Sequence, residues 1–268
     1  MQYILSLFFA AIGAAVFFQG FKLMRKHRLI KDIPRSKIRA MAMGLVEIHG
    51  KIRADELIKS PFSQTDCVFY KYEIKELKRR SSGSGKNRRT RLEWVTIATG
   101  DRRIPFFAED ETGTAMVDPT GAEFNTEIKR SYHQDRDAFS GISDFISTIK
   151  NWDSRKEQLL DVSGLELKPI EAGKKLRFSK SAGDRRYHEY YLQNGDTLFL
   201  MGTAASSSEV PGNVVLKKGE NEPTFIISDK SEKGTLKALK SKMITAFALG
   251  GVTFIAGVLV FLHLIGVI

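Results

Sequence analysis

Residues 67–77 read CVFYKYEIKEL, and the alternation within them decides the fold class. Val68, Tyr70, Tyr72 and Ile74 fall on one face of an extended chain and Cys67, Phe69 and Lys71 on the other, which predicts a strand partly covered on both sides. Working outward, β-branched and aromatic enrichment predicts strands over residues 45–52, 92–99, 104–108 and 114–117, then over 175–178, 187–192, 197–201 and 224–228. Turn sequences separate them: TGDR at 99–102, DETG at 110–113, DPTG at 118–121 and NGD at 194–196. One helix is predicted over 135–160, where Phe139, Ile142, Phe145, Ile146, Ile149 and Trp152 recur at helical spacing. Short strands with a turn every 8–12 residues or so predict a mainly β, α+β body: a small antiparallel barrel or sandwich with one interrupting helix.

The apolar residues outside this body collect at the two ends. Residues 3–21 carry no formal charge, and neither do the 26 residues 243–268. Each is long enough to cross a bilayer as a helix, which takes about 20 residues. The first is expected to be a retained anchor, because Met1 and Gln2 supply no basic region of the kind that precedes a cleaved signal. This divides the chain into a span at 1–21, a basic juxtamembrane linker at 22–43, a β-rich domain at 44–228, a basic juxtamembrane segment at 229–242 and a second span at 243–268. Small residues four apart, Ala10 with Ala14, Ala11 with Ala15, and Ala246 with Gly250, would let the two helices approach closely.

The chain has 42 Lys and Arg against 31 Asp and Glu, a net charge of +11, and the excess is localised. Residues 22–41 carry +7, residues 78–91 carry +7 and residues 230–242 carry +4, so the remainder is acidic. Two of these clusters adjoin the spans. Lys22, Arg25, Lys26, Arg28 and Lys31 on one side, with Lys233, Lys237, Lys240 and Lys242 on the other, are the expected contacts to anionic lipid headgroups, each contributing about 1 kcal/mol near such a leaflet. Because basic residues beside a span resist translocation, the central domain is expected on the cytoplasmic side with both ends outside. The third cluster, KRRSSGSGKNRRTR, reads as a mobile loop between two strands. Its Arg79, Arg80, Lys86, Arg88, Arg89 and Arg91 are the candidate contacts of a partner loop that would recruit an acidic protein, a phosphate or a lipid, the alternative being a solvated hairpin tip. It contains no aromatic residue and its glycines fit no phosphate-binding fingerprint, which argues against nucleic acid as the partner.

The ionisable residues point away from catalysis. One Cys and five His exclude a disulfide framework and any zinc site built on two or more cysteines. Cys67 could be combined on paper with His49 or His133, but no nucleophile signature surrounds it, and a thiol in an apolar strand packs as a small hydrophobe. His188 and Glu189 are strand neighbours and so point to opposite faces. Asp110, Glu111, Asp118 and Glu123 sit in sequences that build turns, where Asp caps its own backbone. No catalytic residue, metal ligand or cofactor is therefore assigned.

Four stretches together, GLVEIHGKI at 44–52, SPFSQTDCVFYKYEIKEL at 60–77, IPFFAEDETGTAMVDPTGAE at 104–123 and YHEYYLQNGDTLFLMGTA at 187–204, resemble the GIDE domain. This domain, also called the "beside a membrane" (BAM) domain, lies between two membrane helices in mitochondrial ubiquitin ligases of the MULAN/MAPL type. The resemblance implies the two-span layout and an E3 ubiquitin-protein transferase setting. Those ligases carry a RING finger after the second span, and a RING needs eight Cys/His ligands for two zinc ions. One Cys and five His cannot supply them. In the family the domain faces the mitochondrial intermembrane space, whereas the flanking charges here place it in the cytoplasm; the charge-based reading is adopted. The expectation is thus a membrane-anchored, non-catalytic binding or scaffold domain. The alternatives are a RING-less component of a ubiquitin-like conjugation system and an enzyme with an unrecognised site.

Overall fold

The computed structural model describes residues 2–82, 89–135, 167–170, 181–207, 214–230 and 232–266. The helix predicted over 135–160, past Asp135, and the strand predicted over 175–178 lie outside the described residues. Helix α1 (Gln2–Asp32) comes first and α2 (Glu232–Leu264) last. Between them run β1 (Arg35–Ser36), β2 (Gly44–Arg53), β3 (Ile58–Lys59), β4 (Asp66–Cys67), β5 (Phe69–Ser82), β6 (Arg89–Arg103), β7 (Phe106–Asp110) and β8 (Gly113–Val117). These are followed by β9 (Glu123–Asn125), β10 (Arg130–Gln134), β11 (Lys168–Pro169), β12 (Arg185–Leu192), β13 (Thr197–Ser206), β14 (Val214–Lys217) and β15 (Ile226–Ser228).

Five strands close into a barrel: β2 pairs β7, then β8, β14 and β13 follow in turn, and β13 returns to β2. Four of these seams are antiparallel, and β8–β14 is parallel. The interior is filled by Ile48, Ile52, Phe106, Val117, Leu198, Leu200 and Leu216, which contribute roughly 1.5–3 kcal/mol each on full burial. β1 adds to β2, and β15 and then β9 extend from β13.

A second sheet, in the order β11-β10-β12-β5-β6, leans on this barrel through the start of β5. Phe69 belongs to the barrel core and stacks on Phe124, whereas Tyr70, Tyr72 and Ile74 join Phe62, Cys67, Tyr187 and Tyr191 in a separate cluster. Val68 goes with Phe69, not with Tyr70 as simple alternation predicts. At Val68 the chain passes from β4, which pairs with β3 in a separate two-stranded sheet, to β5, donating to the Leu192 carbonyl (2.9 Å) and accepting from the Ile104 amide (3.0 Å), so the parity resets there. Residues 99–102 are a second departure from expectation. They lie within β6, and Gly100, opposite Tyr72, leaves room for that ring: a Cβ at Gly100 would stand 2.6 Å from the Tyr72 hydroxyl. NGD at 194–196 is a turn as predicted, with Gly195 at φ +88°.

Both helices are long and apolar enough to cross a membrane, and they pack against each other as a hairpin. At 31 and 33 residues they measure about 46 and 50 Å, well beyond a hydrocarbon core of about 30 Å. Backbone meets backbone along the seam. A Cβ on Gly13 would stand 2.3 Å from the Phe254 amide nitrogen, one on Gly250 2.5 Å from that of Phe17, and one on Gly257 2.7 Å from that of Ala10. Of the small residues singled out by spacing, Ala10 and Gly250 lie in this contact. Phe8, Phe18, Ile4, Leu249, Val252 and Ile255 point outward and exposed, a surface suited to hydrocarbon.

Candidate membrane and partner interface

Basic residues 22–32 continue α1 without a break, so the segment next to the first span is helix until Asp32. Its apolar side, with Ile30 buried and Leu23, Leu29 and Ile33 beside it, packs on Phe199 and Met201 of β13, on Ile226 of β15 and on Leu239 of α2. Two cations of the same stretch reach the barrel. Arg25 pairs with Glu222 at 2.8 Å, and Lys26 pairs with Glu123. The Thr224 hydroxyl and the Arg25 guanidinium, both donating to Glu222, hold its carboxyl below the usual range. On the α2 side, Lys129 bonds Asp229 at 2.8 Å, and this outweighs partial burial to raise the ammonium's pKa. Of the nine expected headgroup contacts, Lys22, Arg28, Lys31, Lys237, Lys240 and Lys242 are exposed, Arg25 and Lys26 bind the barrel, and Lys233 has only its backbone described.

The basic stretch 78–91 is not simply a loop. β5 continues through Ser82 and β6 starts at Arg89, so Arg79, Arg80, Arg89 and Arg91 stand on a two-stranded ribbon; Lys86 and Arg88 lie outside the described residues. The extra strand residues were masked from view in the sequence by their charge, since β-propensity is low for Lys and Arg runs. Arg80 lies directly opposite Arg91, and Lys78 opposite Glu93. Arg80 also pairs diagonally with Glu93 at 3.3 Å, both side chains being more than half exposed. Where the ribbon meets the sheet, the Arg186 guanidinium covers the Trp94 ring at 4.3 Å.

The titratable side chains of the body are held in structural roles. Cys67 is fully buried and donates to the Ile58 carbonyl at 3.3 Å. Burial, followed by the nearby carboxylates of Glu189 and Asp66, pushes its thiol up to about 12, the opposite of what a nucleophile needs. The two histidines considered beside it are engaged elsewhere: His49 Nε2 lies 3.4 Å from Glu47 and its ring meets Phe199, and His133 bonds Asp135 at 3.0 Å. His188 and Glu189 do face opposite ways. His188 Nδ1 meets the Ser131 hydroxyl at 3.0 Å, with burial and then Lys75 lowering its pKa. Glu189 is buried and accepts the backbone amides of Phe62 (2.8 Å) and Ser63, fixing the tight turn in which Gln64 sits at φ +53°. This role was missed in the sequence, although Glu189 shares strand parity with Tyr187 and Tyr191 and so belongs to their apolar face. Asp110 and Asp118 are turn residues. Partial burial would raise the Asp110 carboxyl, but donation by Thr112, Ile38 and Gly113 outweighs it and holds the group low. Among the described residues no group of three or more His, Cys, Asp and Glu is placed to hold a metal.

Residues 73–261 match the GIDE family, described as E3 ubiquitin ligase. The chain belongs to the GIDE family. No curated protein and no solved structure matches it. The GIDE match opens inside β5 and ends inside α2, so helix α1 and strand β2, which closes the barrel between β7 and β13, precede it. The GIDE region therefore holds most of the body but depends on an earlier strand for closure.

Proposed function

We propose that this GIDE protein is a membrane-anchored binding module that holds a protein partner close to the lipid surface and performs no chemistry of its own. The observation that carries the reading is the clamp at the hairpin base: the apolar cluster around Ile30, with the Arg25–Glu222 and Lys26–Glu123 pairs, fastens the barrel to the two spans. A body so fastened cannot swing away, so it meets partners at a fixed height, where effective concentration stands in for affinity. The exposed cations of the basic flanks, Lys22, Arg28, Lys31, Lys237, Lys240 and Lys242, attract anionic headgroups, and the positive-inside rule sets the body on the cytoplasmic side with both termini outside. Protease accessibility in intact cells tests the sidedness: digestion from outside would reverse the orientation. Capture of proteins from native membranes, with the full chain against a form whose ribbon is shortened, tests the binding role; identical empty captures would sink it.

The family description supports a second reading, a subunit of a ubiquitin-like conjugation system that recognises substrate while another chain supplies the zinc domain. On this reading the transferase step belongs to the partner that holds the zinc ions. Co-purification with a ubiquitin-like or ligase protein favours it, and a proteome of captured partners free of both counts against it.

A further inference from the structure

The geometry points to the open edge of β6 as the place where an acidic, extended segment of a partner protein adds as a further strand. This rests on the reading of the body as a binding module and names the chemistry of its partner. β6 runs for 15 residues, ends the order β11-β10-β12-β5-β6, and among the described residues pairs on one side, with β5. An edge of that length presents a row of backbone donors and acceptors, which proteins ordinarily blunt with short strands, proline or bulges. β6 contains no proline, and its one irregularity lies where Ile74 and Lys75 meet it, so residues 89–96 form an uninterrupted edge. Arg89, Arg91, Leu92 and Glu93 are exposed there, and Trp94, Val95 and Thr96 are residues that favour strands. The stretch accommodates a partner strand of about five or six residues, the usual length.

Charge names the partner. Beyond Leu77 the ribbon carries Lys78, Arg79, Arg80, Arg89 and Arg91 against the single acid Glu93. Arg80 and Arg91 sit directly opposite each other on one face; Glu93 already pairs with Arg80, and a further carboxylate beside Arg91 offsets the repulsion between the two guanidinium groups. An acidic strand on β6 supplies carboxylates at alternate positions on that face while its backbone pairs with the edge. A nucleic acid or a lipid headgroup offers phosphate acceptors but no amide donors for the β6 carbonyls. The ring best placed to stack a base, Trp94, already lies under Arg186.

The test uses the full chain in discs of zwitterionic lipid and a labelled peptide of alternating Glu and Val as probe, followed by anisotropy and by amide hydrogen exchange. The expected result is binding that protects the amides of residues 89–96 and weakens about tenfold or more, or roughly 1.4 kcal/mol, when alternate peptide amides are N-methylated. Arg89→Glu with Arg91→Glu abolishes the binding, and both positions are exposed, so the fold is retained. A Lys–Val peptide does not bind. Absence of Glu–Val binding, equal binding of the N-methylated peptide, or equal competition by an oligonucleotide or anionic vesicles would each overturn the assignment. Should the peptide fail while capture from native membranes persists, the edge is ruled out and the binding-module reading stands; loss of capture would remove both.

Discussion

The clamped body and the β5–β6 ribbon draw on the same residue types, aliphatic and basic, and use them in opposite ways. At the hairpin base Ile30, Met201, Ile226 and Leu239 exclude water, and Arg25 and Lys26 find carboxylates on the barrel. On the ribbon Leu92 is 43% exposed, Lys78 pairs with Glu76 and Arg80 with Glu93, and Arg79, Arg89 and Arg91 add three more cations with no further acid beyond Leu77. The first arrangement gives position; the second leaves charge and backbone for something else to complete. A protein under selection for stability alone would have placed acids opposite Arg80 and Arg91, so the contrast separates what holds this molecule together from what it offers outward.

The comparison is sharpest in thiol chemistry. At pH 8 alkylation of Cys67 should run about a thousandfold slower than that of Leu92→Cys on the ribbon, since a pKa of about 12 instead of 9.0 leaves that much less thiolate. Timed labelling with mass spectrometry measures it, and comparable rates would mean that the inner cluster opens freely. The same shift has a pH consequence. Burial makes the folded state bind this proton more tightly than the unfolded chain, so the contribution is intact below about pH 9 and is lost as pH rises toward 12. Unfolding midpoints in denaturant should therefore fall across that alkaline window.

Packing comes next. Leu200→Ala in the closed barrel should cost about 2–5 kcal/mol, whereas Leu92→Ala should change stability by no more than about 0.5 kcal/mol. Equal costs in denaturant titrations would erase the distinction between the two regions. Glu189→Ala, which strands the amides of Phe62 and Ser63, should cost about 1–3 kcal/mol and loosen residues 60–65 in hydrogen exchange. The smallest effect is the most telling: Arg91→Glu replaces a like-charged cross-strand pair with an opposite one and should stabilise the ribbon by about 0.2–1 kcal/mol. A gain in stability together with a loss of acidic-peptide binding is the expected signature of a surface kept unpaired for use.

Much of the β-rich body could be read directly. β2, β7, β8, β12 and β13 all lie where alternation and turn residues put them, and the two apolar ends became the two long helices. Barrel closure was less visible, because it depends on β14, a four-residue strand parallel to β8, and parallel pairing leaves no hairpin signal. Val68 changed sides because it joins β4, paired with β3, to β5, paired with β12 and β6, a break that no local period records. Gly100 looked like a turn and is instead a gap for Tyr72. The basic cluster was recognised as the outward-facing element, but its charge hid its strands: Arg80 and Arg91 carry no propensity for a ribbon and take that form because Tyr72, Ile74 and Leu77 anchor β5 beneath it.

The unbroken run of α1 from the apolar span to Asp32 removes any joint between anchor and cargo. In a bilayer, whatever tilt the hairpin adopts to match local thickness is handed whole to the barrel. β5 starts at the barrel core and extends about 43 Å along its length at 3.3 Å per residue, so a few degrees at the root sweep its far end through several ångströms. Thin and thick membranes would then aim the same arm at different heights, making lipid composition a setting on a lever.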